Sequence, residues 1–503
     1  MAAPCIHVVF LLCLVPATVA SPHRNLRKSP VDIAAAVSGR CVAADHLLRG
    51  GPPAPPATGQ LRPVLHAPAI QLLRLHLHQA ARHRRLLPAA LPLLRGSTAE
   101  PLQNGVVWSV SKDITRYASL LAAGNSTLAV FVENLVNNQY TGVYYANVTL
   151  HLYFRRTPTR PPPAVAPADL IVPMSRGLPL NDGLWYKIEN ATDVTAKSVV
   201  LPSNTYCAVL QLYVSFHGDD EWTNQPGADA SSPFREVTVR VDGVLAGAAW
   251  PFPVIFTGGM DPLLWRPITG IGSFNLRTYD VEATPLLCKM LDGKAHVFAF
   301  AVTNAVDVWY VDANLHLWLD PGSTATAAGL VSYVAPELAP ATASSRTTAS
   351  RQVSATGWVK SSYGNITRNA TQTFDFDNTN AGEKVNQTTV AHAGVAATDV
   401  AGVLYYSMQM RQSFPLFLDS GPDQVTVTHG LEETVAAGRW SSGPRYQSLR
   451  NTQRSSVAGA SWGIRQTYRY EATDWCYLRN VTSSGYSIVA DQSSEACVKG
   501  PLR

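Results

Sequence analysis

Seven asparagines begin an N-x-S/T sequon whose middle residue is not proline, which is the acceptor pattern of N-glycosylation. One such sequon arises easily by chance, whereas seven in one chain are typical of a glycosylated lumenal or extracellular protein. They are Asn125, Asn147, Asn190, Asn365, Asn369, Asn386 and Asn480. We therefore expect a protein of the secretory pathway, located outside the cell, in the cell wall or in the vacuole.

The cysteines support an oxidising compartment only weakly. Cys476 and Cys497, near the C-terminus, are the pair that we expect to form a disulfide. The three other cysteines after residue 20 allow at most one more bridge and leave a spare thiol. The chain has no C-x-x-C pair and no H-E-x-x-H motif, so the sequence predicts no metal site and no cofactor.

An apolar run, Ile6–Val15, is followed by small residues and predicts a secretory signal over residues 1–20. A buried N-terminal helix is the alternative interpretation. The run is too short to cross a bilayer, so we expect no integral membrane segment.

The net charge of +5 is unevenly distributed. Residues 21–96 contain 11 Lys and Arg against 2 Asp and Glu, which leaves 29 against 33 for residues 97–503. A slightly acidic remainder offers no basic surface for nucleic acid. Because 46% of the residues are hydrophobic and only 15% are charged, the chain as a whole is not disordered.

The segment Ser21–Gly96 contains no Phe, Tyr or Trp. Its Leu, Pro, Arg, His and Ala composition is typical of GC-rich DNA translated in a wrong frame. A basic disordered arm and a short amphipathic helix over Gln71–Leu87 are the alternatives. We expect no packed core in this segment.

Beyond residue 97 the hydrophobic period is two, which indicates half-buried strands separated by Asp-Gly turns. Ala208–Phe216 and His296–Val302 are examples. We predict an all-β protein of tandem jelly-roll or β-sandwich domains, the first of them truncated. The predicted segments are a signal (1–20), the aromatic-free segment (21–96), a first jelly-roll remnant (97–156), a Pro-rich linker (157–167), a second jelly roll (168–320) and a C-terminal β-rich domain (321–503).

Several long strings resemble the plant and fungal peptide-N4-(N-acetyl-beta-glucosaminyl)asparagine amidase A family. They include SKDITRYASLLAAGNSTLAVFVENLV, NDGLWYKIEN, PLLWRPITGIGSFNLRTYDVE and VWYVDANLHLWLD. The resemblance covers about residues 97–503. It implies a secreted hydrolase that releases N-glycans from glycopeptides or denatured glycoproteins and converts the asparagine to aspartate.

A more distant likeness to bacterial peptide N-glycosidase F implies the site residues. Its first catalytic glutamate falls on Glu133, at the end of a tract resembling residues 112–135. Its second falls on Glu221, in HGDDEW, with Trp222 and Arg235 as substrate-binding neighbours. In PLLWRP, Trp265 is expected to stack on a sugar and Arg266 to hold a carbonyl.

Hydrolysis of an amide needs a base for the attacking water and an acid that helps the amine to leave. One ionised aspartate with one or two glutamates of raised pKa would suffice without a metal. The resemblance places that aspartate in an Asp-Arg strand just before Ser97, yet no Asp-Arg dipeptide precedes residue 97. We therefore expect the activity to be impaired.

Without the resemblance, each candidate has a simpler interpretation. Glu133 ends an apolar strand, Glu221 extends an acidic loop with Asp219 and Asp220, and a tryptophan such as Trp265 is usually core. A catalytically inactive glycan-binding or structural β-sandwich is therefore the alternative function. A glycosidase is a third possibility, and it needs the Glu133 and Glu221 carboxyls about 5–10 Å apart.

Overall fold

The structure is a computed structural model that describes residues 5–12, 26–37, 42–44, 72–79, 90–97, 108–122, 126–132, 144–155, 167–176, 184–221, 223, 233–256, 259–343, 345–439, 443–473 and 475–495. Two compact units share the chain. The first comprises Met1–Trp185, Gly272–Leu276 and Asp312–Asn314, and the second comprises Tyr186–Ile271, Arg277–Val311 and Leu315–Arg503. Among the described residues, no helix has the length and apolar character needed to cross a membrane.

Two four-stranded antiparallel sheets form within the first unit, with strand orders β2-β8-β1-β6 and β3-β7-β4-β5. The elements are β1 (Cys5–Leu12), β2 (Leu26–Val37), β3 (Val42–Ala44), β4 (Leu72–Gln79), β5 (Ala90–Ser97), β6 (Trp108–Asp113), a 3-10 turn (Thr115–Tyr117), α1 (Ala118–Ala122), β7 (Ser126–Val132), β8 (Tyr144–Arg155) and β9 (Leu170–Pro173).

The structure contains strands before residue 98, within the segment for which we expect no packed core. β2 pairs with β8 along its whole length, and Leu94 and Arg95 in β5 are each 1% exposed. The short helix predicted over Gln71–Leu87 is wrong, because β4 occupies Leu72–Gln79. Leucine alternates there with Arg and His, and an aliphatic period of two specifies a strand without aromatic residues.

The apolar run predicted as a secretory signal contributes β1, which lies between β8 and β6 in its sheet. Cleavage after residue 20 would remove β1. A mature chain that has lost the signal therefore cannot contain this strand. The signal stays a prediction.

Buried polar groups are paired inside the first unit. Arg95 Nη2 lies 2.9 Å from Asp312 Oδ1, and these side chains are 1% and 0% exposed. The Asn314 side-chain amide donates a hydrogen bond to the Tyr117 hydroxyl at 2.6 Å. Pairing of this kind offsets the cost of removing polar groups from water.

The second unit begins with two sheets, ordered β10-β17-β12-β15 and β11-β16-β13-β14. Their strands are β10 (Tyr186–Ile188), β11 (Val194–Val199), β12 (Thr205–Phe216), β13 (Glu236–Val241), β14 (Val244–Ala249), β15 (Thr278–Glu282), β16 (His296–Thr303) and β17 (Trp309–Leu319). Short 3-10 turns connect them at Gly218–Glu221, Pro262–Trp265 and Thr284–Lys289.

An eleven-stranded antiparallel sheet follows, here called the C-terminal sheet, in which β18 and β20 to β28 are neighbours in chain order and β19 pairs with β20. Its strands are β18 (Ala327–Val334), β19 (Ala341–Ala343), β20 (Arg346–Ser361), β21 (Gly364–Ala381), β22 (Lys384–Asp399), β23 (Leu404–Ser420), β24 (Val425–Arg439), β25 (Gly443–Ala458), β26 (Ser461–Ala472), β27 (Cys476–Ser484) and β28 (Ser487–Ser494). These elements confirm the predicted all-β class.

One face of the C-terminal sheet, its inner face, packs on the strands and turns that precede it in the second unit. Phe234 and Trp250 join Phe374 and Phe376 in one apolar cluster. Ile255, Leu264 and Trp265 join Val385, Leu416, Leu418, Val427 and Val457 in another. The segments predicted as separate domains, 168–320 and 321–503, therefore share a core.

Candidate active site

A tight turn, Gly218–Glu221, follows β12 and carries the carboxyl group of Glu221. Gly218 opens the turn with a φ of +62°, and a Cβ there would lie 1.9 Å from Asp307 Oδ2. A residue without a side chain is therefore required. The backbone of the turn is held by hydrogen bonds from His217 N to Val308 O (2.8 Å) and from Asp219 N to Asp307 Oδ2 (3.1 Å).

Asp220 anchors this turn from beneath. Its fully buried carboxylate accepts hydrogen bonds from the backbone N–H groups of Val306 and Asp307, at 3.0 and 2.8 Å. It also pairs with Arg235, whose Nε lies 2.6 Å from Oδ1. With three donors around it, Asp220 is a structural carboxylate.

Glu221 is the next residue, and its environment is different. Its side chain is 11% exposed, and Oε1 lies 3.4 Å from Nδ1 of His217. Burial raises the pKa of Glu221 to about 8, the negative charge of Asp307 adds to the rise, and a hydrogen bond with the Gly218 backbone opposes it. A carboxyl group with this pKa holds its proton at neutral pH and can act as a general acid.

His217 is fixed on both sides of its ring. Its Nε2 lies 3.0 Å from Ser215 Oγ, and its ring stacks on Phe256 with centroids 5.5 Å apart. The ring of Tyr310 contacts it at 5.0 Å. The imidazole beside Glu221 is therefore held in one orientation.

A small cleft of about 30 Å³, open to solvent, lies beside the turn. Residues of the C-terminal sheet and of the segments that precede it in the second unit line this cleft. The polar ones are Asp220, Thr223, Arg235, Gln387 and Thr389, and the buried aromatic ones are Phe216, Trp250, Trp309 and Phe376. The cleft therefore combines aromatic walls with a few polar side chains.

The other substrate-binding candidates lie in different environments. Arg235 lines the cleft but is 7% exposed and is paired with Asp220, so it holds the turn. Trp265 is 1% exposed, lies in the core against the C-terminal sheet, and donates its indole N–H to Gly259 O at 2.7 Å. Since neither ring face is free, the prediction that Trp265 stacks on a sugar is wrong. Arg266 is partly buried, and its carbonyl-binding role stays a prediction.

Several predicted residues lie outside the described residues, namely Glu133, Trp222, Asn125 and Cys497. The separation of the Glu133 and Glu221 carboxyls is therefore not part of the described geometry. Cys476 is disulfide-bonded, while Cys207 and Cys288 are free thiols. In the part of the chain that the structure describes, no three His, Cys, Asp or Glu side chains come together in a way that could hold a metal ion.

Sequence reasoning missed the residues that give Glu221 its environment: Ser215, His217, Gly218 and Asp307. The i,i+2 spacing of Ser215 and His217 in a strand and the i,i+4 spacing of His217 and Glu221 are visible in the sequence. Asp307 is 86 residues from Glu221, and only the fold brings it near.

Comparisons with known proteins agree on one family. Residues 78–336 match the family described as peptide N-acetyl-beta-D-glucosaminyl asparaginase amidase A. The chain is 41% identical to a peptide-N4-(N-acetyl-beta-glucosaminyl)asparagine amidase A from Prunus dulcis over 458 residues, covering 82% of this chain and 80% of that protein.

Solved structures with some likeness include PNGF-II and PNGase F. PNGF-II shares 10% identity with a TM-score of 0.37 and covers 64% of this chain and 58% of its own. PNGase F from Flavobacterium meningosepticum, a glycosylasparaginase, shares 14% identity with a TM-score of 0.33 and covers 62% of this chain and 96% of its own.

Proposed function

Because the chain belongs to the peptide N-acetyl-beta-D-glucosaminyl asparaginase amidase A family, we propose that it hydrolyses the amide bond joining an N-glycan to asparagine. Water adds to the amide carbon, the carbon–nitrogen bond breaks, and the products are an aspartate and a free glycosylamine. The observation that carries this proposal is the 41% identity to the Prunus dulcis protein over most of both chains. The expected substrates are N-glycosylated peptides and denatured glycoproteins.

Glu221 supplies the proton in this proposal. Its buried carboxyl, with a pKa of about 8, supports general acid catalysis, in which the proton passes to the departing nitrogen. Glu133 is the second carboxyl that the resemblance implies. Arg235 and Asp220 hold the turn that carries Glu221.

We expect a slow rate from this chain. The resemblance places the group that positions the attacking water in an Asp-Arg strand before Ser97, and the chain has no such dipeptide there. Loss of a positioned base reduces rates by about 10²–10⁴-fold.

A glycopeptide assay followed by mass spectrometry tests the activity. Amide cleavage leaves the bare peptide with aspartate in place of asparagine, a gain of about 1 Da. A glycosidase would leave a sugar on the asparagine, which is the outcome of the third interpretation. Binding of the glycopeptide without any product would favour the inactive glycan-binding alternative.

Secretion and glycosylation form the second part of the proposal. The four sequons of the C-terminal sheet, Asn365, Asn369, Asn386 and Asn480, occupy positions that alternate with buried inner-face residues. Three of them are exposed and Asn365 is partly buried. Sequons confined to the outer face support glycan attachment, because a glycan there does not disturb the inner-face core.

The mass of the protein secreted from eukaryotic cells tests this part. We expect glycan mass at the outer-face sequons and at Asn190, which is exposed in a turn. An unmodified intracellular protein would contradict the proposal. Sequencing of the N-terminus in the same experiment decides whether residues 1–20 are removed or β1 is retained.

A further inference from the structure

His217 lies beside the carboxyl to which the proposed function assigns the proton. Among the described residues, it is the one basic side chain that the structure places within ion-pair distance of Glu221. Asp307 places a negative charge near the same carboxyl. On the same turn, Asp220 is neutralised by Arg235, and Asp219 is exposed.

Ser215 orients the ring and does not react. Its hydroxyl lies 3.0 Å from His217 Nε2, yet the residue is 1% exposed, so a glycopeptide cannot reach it. A hydroxyl both donates and accepts hydrogen bonds, and it therefore supports either tautomer of the ring. With the stack on Phe256, this contact keeps Nδ1 directed at Glu221.

We propose that His217 is a positioning residue that holds the Glu221 carboxyl in place and sets the pH range over which this carboxyl keeps its proton. This inference rests on the proposed function. When Glu221 has given its proton to the leaving nitrogen, Nδ1–H of His217 faces the new carboxylate. Water returns the proton to Glu221 before the next cycle, so the step needs no other reactant.

The direction of the effect follows from the charges. By elementary electrostatics, an imidazole N–H or an imidazolium 3.4 Å from Oε1 favours the ionised carboxyl. This is the direction in which the Gly218 backbone hydrogen bond acts, and it is opposite to the effects of burial and Asp307. Removal of the ring nitrogens leaves the Gly218 backbone hydrogen bond as the remaining opposition to the burial and the negative neighbour. The pKa of Glu221 should then rise.

Two variants at position 217 separate this role from simple packing. His217→Phe keeps an aromatic ring on Phe256 and loses both nitrogens, while His217→Asn keeps a polar atom near the place of Nδ1. Glutamate ¹³C NMR titration, with Glu221→Gln as the assignment control, measures the midpoint of Glu221 directly. The pH profile of glycopeptide kcat/KM measures it in catalysis.

We expect His217→Phe to move the midpoint upward by about one pH unit, the effect of losing one polar neighbour 3.4 Å from a charged group. His217→Asn should restore most of the wild-type midpoint. If His217→Phe does not fold, Ser215→Ala is measured in its place and should shift the midpoint in the same direction by less. An unmoved midpoint in these variants would overturn the inference.

The two proposals fail in different ways. If Glu221→Gln hydrolyses the glycopeptide at the wild-type rate, Glu221 has no role in the proposed mechanism, whatever the NMR midpoints are. Loss of turnover in Glu221→Gln with an unmoved midpoint in His217→Phe would overturn the role of His217 alone.

Discussion

Two glutamates of the second unit have opposite surroundings: Glu221 ends the turn after β12, and Glu236 begins β13. Glu236 begins β13 and is 1% exposed. Its carboxylate accepts hydrogen bonds from Arg351 Nε at 2.8 Å and from the Trp250 indole N–H at 3.1 Å, and it forms a second contact with the Arg351 guanidinium. Glu221 has His217 at 3.4 Å and the negative charge of Asp307 instead.

The comparison shows how one residue type serves two purposes. A buried carboxylate with a full cationic partner joins structural elements, here β13 to β20 of the C-terminal sheet. A buried carboxyl without such a partner keeps its proton near neutral pH and is available for proton transfer. We therefore propose that Glu236 serves stability and that Glu221 serves chemistry.

The largest effect on stability is expected from Glu236→Gln. The variant leaves the buried Arg351 cation without its counter-charge, which costs about 3–5 kcal/mol of unfolding free energy. Urea unfolding measures the loss. Asp491→Asn, which breaks the exposed pair with Arg479, is the matched control and should leave the midpoint almost unchanged. An unaltered stability of Glu236→Gln would contradict the structural assignment.

The pH dependence of stability should reveal the raised pKa of Glu221. The folded-state pKa of Glu221 is about 8, above its ordinary value of 4.5, so the folded chain binds a proton between these pH values that the unfolded chain does not. This contribution is fully present below pH 4.5 and is lost as the pH rises through 8. Relative to Glu221→Gln, the wild type should lose about 4 kcal/mol between pH 5 and pH 9. Parallel pH curves for the two proteins, measured by urea unfolding, would count against the raised pKa.

A smaller effect is expected from Gly218→Ala, which changes the turn beneath Glu221. The new Cβ would collide with Asp307 in a backbone region that disfavours side chains, at a cost of about 2 kcal/mol. Gly243→Ala is the control, since Gly243 has a φ of +82° but no atom within 4 Å of its added Cβ, and it should cost about 1 kcal/mol. Thermal unfolding of the two variants gives the comparison, and equal losses would show that the contact with Asp307 is unimportant.

Much of the fold could be predicted from the sequence, because a hydrophobic period of two specifies strands locally. The same reasoning failed for Leu72–Gln79, where the absence of aromatic residues outweighed a clear alternation of leucine. It also assigned the C-terminal sheet and residues 168–320 to separate domains. The packing of Trp250 on Phe374 joins these two segments, and it cannot be seen in the sequence because the two residues are far apart in the chain.

The candidate site could be predicted only in part. Glu221 came from a resemblance of short strings, and its acidic neighbours made an exposed turn equally reasonable. Burial and the position of Asp307 distinguish the two interpretations, and both are properties of the folded chain. The stacking role predicted for Trp265 was wrong for the same reason, because nothing in PLLWRP shows that the C-terminal sheet covers the ring.

The most direct test of the account is the hydrolysis of an N-glycopeptide by the wild type and by Glu221→Gln, measured side by side at pH 7 with equal folded fractions. Mass spectrometry follows the conversion of asparagine to aspartate. We predict slow conversion by the wild type and a rate at least about 100-fold lower for Glu221→Gln, the effect of losing a general acid, without loss of stability at this pH. Equal rates for the two proteins, whether both convert the peptide or neither does, would contradict the assignment of Glu221 to chemistry.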